Sequence, residues 1–230
     1  MSRKNGPIKG LYAITPDEAD TAELLRKVRL VLSGGARVLQ YRNKAATAEL
    51  KLDQAMALRE LTREFYVPLI INDDALLARQ VDADGVHLGE ADGSLVAARA
   101  LLGGDRLIGL SCYNRLELAH EAVRQGADYV AFGSFFASTV KPGAVAASTE
   151  LLRQARREIA IPLVAIGGIT ADNGAQLLQA GADALAVISA AFNAGDIRNA
   201  ARQFANLNYS ETNPTDRTAQ HDLAQSTAFR

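Results

Sequence analysis

The chain has 230 residues, 48% of them hydrophobic, with one cysteine and no tryptophan. Its 25 basic and 26 acidic residues leave a formal net charge of −1, which removes any whole-molecule charge argument for nucleic acid or a membrane as partner. A single thiol excludes an internal disulfide, and every apolar run falls far short of the ~18 residues of a membrane span. The opening "MSRKNGPIKG" carries cations but no apolar stretch behind them, so no signal peptide is expected and the cytoplasm is the default location. The sequence leaves homo-oligomerisation open.

In chain order, short β-branched runs alternate with longer stretches of helical spacing. The runs read as strands begin at Lys9 (KGLYAIT), Arg37 (RVLQYR), Pro68 (PLIIND) and Gly85 (GVHLG). Four more begin at Leu107 (LIGLSC), Tyr129 (YVAFGSF), Pro162 (PLVAIGG) and Ala184 (ALAVISAAF). Their starts are spaced by about 25 residues, the length of one strand–loop–helix unit. Between them, "AELLRKVRLVLSGG" places Leu24, Leu25, Val28, Val31 and Leu32 on one helix face, with Gly34 and Gly35 as the stop. Thr47 is the expected N-cap of the next helix. The junction "GAD" recurs at Gly126 and Gly181, where a helix turns directly into a strand. Several strands are apolar throughout, as expected when a parallel sheet is covered by helices. Eight such units predict a single (β/α)8 TIM barrel over residues 9–207, with an N-terminal extension at 1–8. The polar stretch 208–230 is expected to be a disordered tail.

In parallel α/β folds the chemistry gathers where strands end. The second run ends in Gln40, Tyr41, Arg42, Asn43 and Lys44, and the third in Asn72, Asp73 and Asp74. The fourth ends in His87 to Asp92, and the fifth in Ser111 to Asn114. Asp73 and Asp92 therefore close adjacent strands, and hard carboxylate oxygens suit Mg2+. Taken singly, Asp73 reads as a helix cap and Asp92 as a turn residue. Together, beside Arg42 and Lys44, they point to a metal-assisted diphosphate site, to which Lys141 could add a cation. A second phosphate signal lies in "GGIT" and in the small residues after the eighth run, where backbone N–H groups would be free. His87 reads as a satisfied core histidine and Cys112 as a small buried hydrophobe. Strong countercharge without an evident base suits a reaction in which diphosphate leaves.

The motifs "QYRNK", "INDD", "DGVHLGEAD", "IGLS", "KPGA", "AIGGIT" and "AVIS" occur in the order and spacing of thiamine-phosphate synthase, and the chain resembles that family over residues 9–207. The resemblance implies a transferase of thiamine biosynthesis. It would join 4-amino-2-methyl-5-(diphosphooxymethyl)pyrimidine to 4-methyl-5-(2-phosphooxyethyl)thiazole, releasing diphosphate by a dissociative route. It further implies that Gln40 to Lys44, Asn72, Ser111 and Lys141 hold the pyrimidine diphosphate, with Arg42, Lys44, Ser111 and Lys141 the catalytic set. Asp73 and Asp92 would hold Mg2+. Ser138, Thr139, Val140, Gly168, Ile188 and Ser189 would hold the thiazole phosphate.

Three positions depart from the family pattern. Val140 stands where a Thr precedes the loop lysine, Tyr113 replaces a frequent His, and Gly89-Glu90-Ala91-Asp92 replaces the usual Gly-Gln pair before the aspartate. Two alternatives remain at this point: a thiazole tautomerase-like enzyme, or a non-catalytic phosphate-binding barrel. Neither needs the Asp73–Asp92 pair together with Arg42 and Lys44. If a lost hydroxyl at position 140 weakens the thiazole-phosphate site, Val140→Thr should lower the KM for thiazole phosphate several-fold. An unchanged KM would mean that Thr139 or backbone groups already serve.

Overall fold

The structure, a computed structural model, describes residues 8–137 and 146–207. Eight strands close in sequence order into one parallel barrel. They are β1 (Gly10–Ile14), β2 (Val38–Tyr41), β3 (Leu69–Asn72), β4 (Gly85–Leu88), β5 (Leu107–Tyr113), β6 (Tyr129–Gly133), β7 (Leu163–Ile166) and β8 (Ala184–Val187). The intervening helices are α1 (Thr21–Ser33), α2 (Ala48–Glu64), α3 (Ala75–Gln80), α4 (Leu95–Leu102), α5 (Leu116–Arg124), α6 (Thr149–Glu158) and α7 (Ala171–Gln179). The short α8 (Ser189–Phe192) and α9 (Ile197–Ala205) follow β8. The expected (β/α)8 barrel is thus observed.

Two boundaries differ from the sequence reading. The eighth run does not stay extended: after Val187 the small residues Ser189 to Phe192 coil into α8. Ile8, assigned to the extension, is 2% exposed and packs with the barrel interior. The polar stretch 208–230 lies outside the described residues.

Local chemistry sets the helix starts. Asp20, Thr47, Asp74, Ser94, Ser148, Thr170 and Asp196 each accept a first-turn amide proton. Strand register then divides the side chains into two cores. One cluster fills the barrel with Tyr12, Ile14, Val38, Ile70, Tyr129 and Val164 among others. The larger cluster, including Leu11, Leu39, Leu69 and Leu185, lies between strands and helices. Inward space is rationed. A Cβ on Gly109 would come within 2.0 Å of the Tyr129 ring, so glycine there admits the tyrosine.

At the N-terminal ends of the strands one clasp is repeated three times. Asp84 Oδ2 accepts from Leu69 N at 2.9 Å and pairs with Arg59 at 2.5 Å. Asp128 does the same with Ile108 N and Arg99, at 2.8 and 2.5 Å. Asp183 repeats it with Leu163 N and Arg156, at 2.8 and 2.6 Å. In each case an arginine from an even-numbered helix joins an odd strand to the next even one. Two of these arginines also cap turn glycines: Arg99 donates to Gly126 O and Arg156 to Gly181 O. Both glycines have positive φ, and Asp82 takes that place before Asp84, with φ 52°. The recurrent "GAD" junction is therefore half of an Asp–Arg clasp.

Asp183→Ala should lower stability by about 2–4 kcal/mol, because it takes the carboxylate from the Arg156 guanidinium and from a strand amide. Glu150→Ala, which removes an exposed helix pair with Arg153, should cost about 0.5 kcal/mol or less. Urea unfolding of both variants checks this; equal losses would show that the clasp adds nothing.

Candidate active site

The end of β1 holds the start of the site. Thr15, fully buried, donates through Oγ1 to Arg42 O at 2.8 Å and accepts from Arg42 N at 2.9 Å. Asp17, two residues on, accepts from the Arg42 guanidinium at 3.0 Å and from Lys44 N at 2.9 Å. The backbone and one cation of the segment after β2 are thereby fixed from the neighbouring strand.

Not all five residues of that segment face the same way. Arg42 and Lys44 open into a cavity of about 480 Å³ lined also by Lys51, Asn72, Asp73 and Asp92. Tyr41 and Asn43 also line this cavity, but their polar side-chain atoms are bonded to Gln54 and Glu18. Tyr41 donates to Gln54 Oε1 at 2.8 Å, and Asn43 donates to Gln54 Oε1 and to Glu18 O. Tyr41 anchors the segment to α2, and Asn43 anchors it to α2 and to the loop after β1. Gln40 points into the barrel, 3% exposed, and donates to Tyr12 OH at 2.9 Å.

Asp73 and Asp92 are brought together. The cap of α3 is Asp74, which accepts from Leu77 N at 2.8 Å, so Asp73 is released from capping. Its backbone is left-handed, with φ 64°, a conformation that a non-glycine residue holds at some energetic cost. Its amide donates to His87 O at 2.8 Å, tying it to β4. Asp92 comes from the loop after β4 and accepts from Gly89 N at 3.0 Å. Burial, then the facing Asp92 carboxyl, pushes the Asp73 pKa above the ordinary carboxylate range, and Lys44 opposes that shift. Lys44 Nζ stands 3.5 Å from Asp73 Oδ2. Two hard carboxylates crowded until one resists ionising form a donor set that a divalent cation would relieve. Among the described residues no group of three or more His, Cys, Asp or Glu gathers as a metal site. A pair of carboxylates is the donor set of an ion such as Mg2+, which keeps waters or substrate oxygens.

Ser111 lies on the inner wall, 2.9 Å from His87 Nε2. His87 is 8% exposed and bonded at both ring nitrogens, as a satisfied core histidine should be. Cys112 is buried, and burial pushes its thiol up to about 12. Tyr113 stands at the rim with φ 52°, its ring beneath the Arg115 guanidinium at 5.5 Å.

Across the mouth, the ends of β7 and β8 are built from small residues. Gly167 and Gly168 have φ of 106° and 62°. A Cβ on Gly168 would lie 2.4 Å from Ala137 O, and one on Gly167 would lie 1.9 Å from Ser134 Oγ. Glycine is required here both for φ and for the close approach of the segment after β6. Ile188 precedes α8; its carbonyl accepts from Ala191 N and Phe192 N, and the Ser189 and Ala190 amides open the helix ahead of those bonds. At the start of α7 a capping box between Thr170 and Asn173 occupies the amides of those two residues. Ser138, Thr139, Val140 and Lys141 lie outside the described residues.

Sequence reasoning passed over Lys51, Asp17 and Thr15. Lys51 sits one turn into α2, and only helix phase relative to Thr47 would have signalled it. Asp17 and Thr15 act from the neighbouring strand, a relation that register alone reveals.

The comparisons agree with this geometry. A family model described as thiamine monophosphate synthase matches residues 11–191. A thiamine-phosphate synthase of Methylobacillus flagellatus is 57% identical over 201 residues, covering 87% of this chain and 96% of the relative. One from Nitrosospira multiformis is 54% identical over 200 residues, covering 87% and 86%. The solved thiamine phosphate pyrophosphorylase from Pyrococcus furiosus superposes with a TM-score of 0.78 at 37% identity, covering 89% of this chain and 96% of its own. Matched by that family model over residues 11–191 and by relatives more than half identical over most of its length, the chain belongs to the thiamine monophosphate synthase family.

Proposed function

We infer that the protein condenses 4-amino-2-methyl-5-(diphosphooxymethyl)pyrimidine with 4-methyl-5-(2-phosphooxyethyl)thiazole to give thiamine phosphate and diphosphate. The observation that carries this reading is one cleft. It sets Arg42, Lys44 and Lys51 against an Asp73–Asp92 pair held close enough to raise the Asp73 pKa. The curated relatives that share more than half of the sequence bear the matching name.

The chemistry follows from charge. The bond between the pyrimidine methylene and the diphosphate oxygen breaks, and its electron pair leaves with the diphosphate. The thiazole nitrogen then donates its lone pair to the methylene carbon and becomes a thiazolium. No proton changes hands, so the site needs countercharge and alignment rather than a base. Arg42 and Lys44 stabilise the departing diphosphate, and Asp17 holds the Arg42 guanidinium toward that task. Asn72 lines the same cavity. Asp73 and Asp92 would hold Mg2+, which would neutralise charge on the leaving group. Lys141 supplies a further cation and Ser111 a polar contact to the pyrimidine side. Ser138, Thr139, Val140, Gly168, Ile188 and Ser189 cradle the thiazole phosphate through backbone and hydroxyl donors. The reaction belongs in the cytoplasm, and among the described residues no helix is long and apolar enough to cross a membrane.

Purified protein with both substrates and Mg2+ should release diphosphate and form thiamine phosphate. Asp73→Ala should lower kcat by about 100-fold or more while thermal unfolding stays near wild type, and chelation should do the same. Turnover that survives both changes would refute the metal–diphosphate reading. A second expectation concerns pH. Protons compete with metal at Asp73, whose pKa stands raised, so Mg2+ affinity should fall as the solution is made mildly acidic. Asp92→Asn removes the repulsion and should flatten that dependence. Calorimetric titration of Mg2+ across the acidic range would expose a wrong sign.

A further inference from the structure

Five polar side chains from five strands form a single hydrogen-bonded file inside the barrel. Gln40 Nε2 donates to Tyr12 OH at 2.9 Å. Tyr12 OH lies 2.8 Å from Tyr129 OH, and Tyr129 OH lies 3.1 Å from His87 Nδ1. His87 Nε2 then lies 2.9 Å from Ser111 Oγ. Gln40, Tyr12, Tyr129 and His87 are buried, and only Ser111, at the end of the file and near the C-terminal end of β5, is partly exposed. The Tyr129 ring stacks on His87 with centroids 5.5 Å apart, in space that Gly109 leaves open.

Proton bookkeeping gives the file a sense. Each phenol has one proton to donate. Tyr12 oxygen already accepts from Gln40, so its proton goes to Tyr129, and the Tyr129 proton goes to His87 Nδ1. A neutral imidazole that accepts at Nδ1 carries its proton on Nε2 and donates it to Ser111. The serine proton is then left for the mouth. Running the bonds the other way, with the amide as it stands, leaves the buried Tyr12 hydroxyl with two donors and no acceptor, which is costly. Burial raises the pKa of both phenols, so both keep their protons.

We propose that Tyr12, Tyr129 and His87 are positioning residues for Ser111: the file holds His87 as its Nε2–H tautomer and makes the Ser111 hydroxyl a hydrogen-bond donor into the active-site mouth. Its partner there is an acceptor, a ring nitrogen or an anionic oxygen of the pyrimidine diphosphate. The proposal rests on the reading that Ser111 meets this substrate.

Nitrogen-15 NMR of the ligand-free protein reads the tautomer without turnover. Wild type should show His87 protonated at Nε2 alone, and Tyr129→Phe should give a mixture. The same variant should lower kcat/KM for the pyrimidine diphosphate about tenfold, the loss of about one hydrogen bond, with KM for thiazole phosphate unchanged. His87→Gln, which keeps an amide donor toward Ser111, should retain more activity than His87→Ala. If Tyr129→Phe fails to fold, Tyr12→Phe interrupts the file one bond earlier and should give the same mixture. A wild-type Nδ1–H tautomer, or a Tyr→Phe variant that keeps both tautomer and kcat/KM, overturns the proposal. Absence of turnover in wild type would instead sink the functional reading, and the tautomer measurement alone would then decide the file.

Discussion

Closure of a parallel sheet imposes two directions on every strand and one common rim on all of them. Successive side chains alternate between the barrel interior and the helix layer, and no edge is left to absorb a slip in register. Gln40 opposite Ile70, Asn72 opposite His87, and Ser111 opposite Ala131 are consequences of that single constraint. Gln40, His87 and Ser111 lie far apart in sequence and on different strands, yet closure gives them the same inward phase. The residues just past the strand ends, Arg42, Asp73 and Asp92, then have nowhere to go but the rim.

The two ends of the barrel spend their charges differently. At the N-terminal end, Asp84, Asp128 and Asp183 each satisfy a strand amide and an arginine, so every charge has an opposite partner at short range. At the C-terminal end, two carboxyls face one another, Asp73 and Tyr113 have left-handed backbones, and glycines yield to a neighbouring loop at distances no side chain tolerates. Strain of this kind persists only where the surroundings over-determine it. The clasps at one end hold strand to strand, and the other end uses that rigidity to hold like charges together.

Much of this was legible in the sequence. Eight apolar runs at even spacing gave the barrel, and the polar residues just after the runs gave the rim. Asp73 was harder, because a carboxylate before a helix is ordinarily its cap, and only the Leu77 amide bonding Asp74 resolves the choice. Tyr41 and Asn43 show the reverse problem: adjacent to Arg42 and Lys44 in sequence, they turn to Gln54 and the α2 layer because side chains alternate. Asp17, Thr15 and Lys51 were missed because their roles depend on which strand neighbours which, and on helix phase. The "GAD" junction was visible as a repeat, but its meaning needed the distant arginines.

The acidic pair and its cation are poised for exchange rather than for stability. Lys44 is 58% exposed and meets Asp73 at 3.5 Å, the geometry of a solvated ion pair worth about 0–1 kcal/mol. Breaking it therefore costs little, whereas a buried pair would resist. Arg42, with 17% exposure, is held more firmly by Asp17. A diphosphate entering the cleft would find one cation prealigned and one able to swing from carboxylate to phosphate. As Lys44 moved, Asp73 and Asp92 would lose their partial compensation and gain affinity for a divalent cation. Diphosphate and metal would then each favour the other's binding, through two carboxyls that repel in the absence of both.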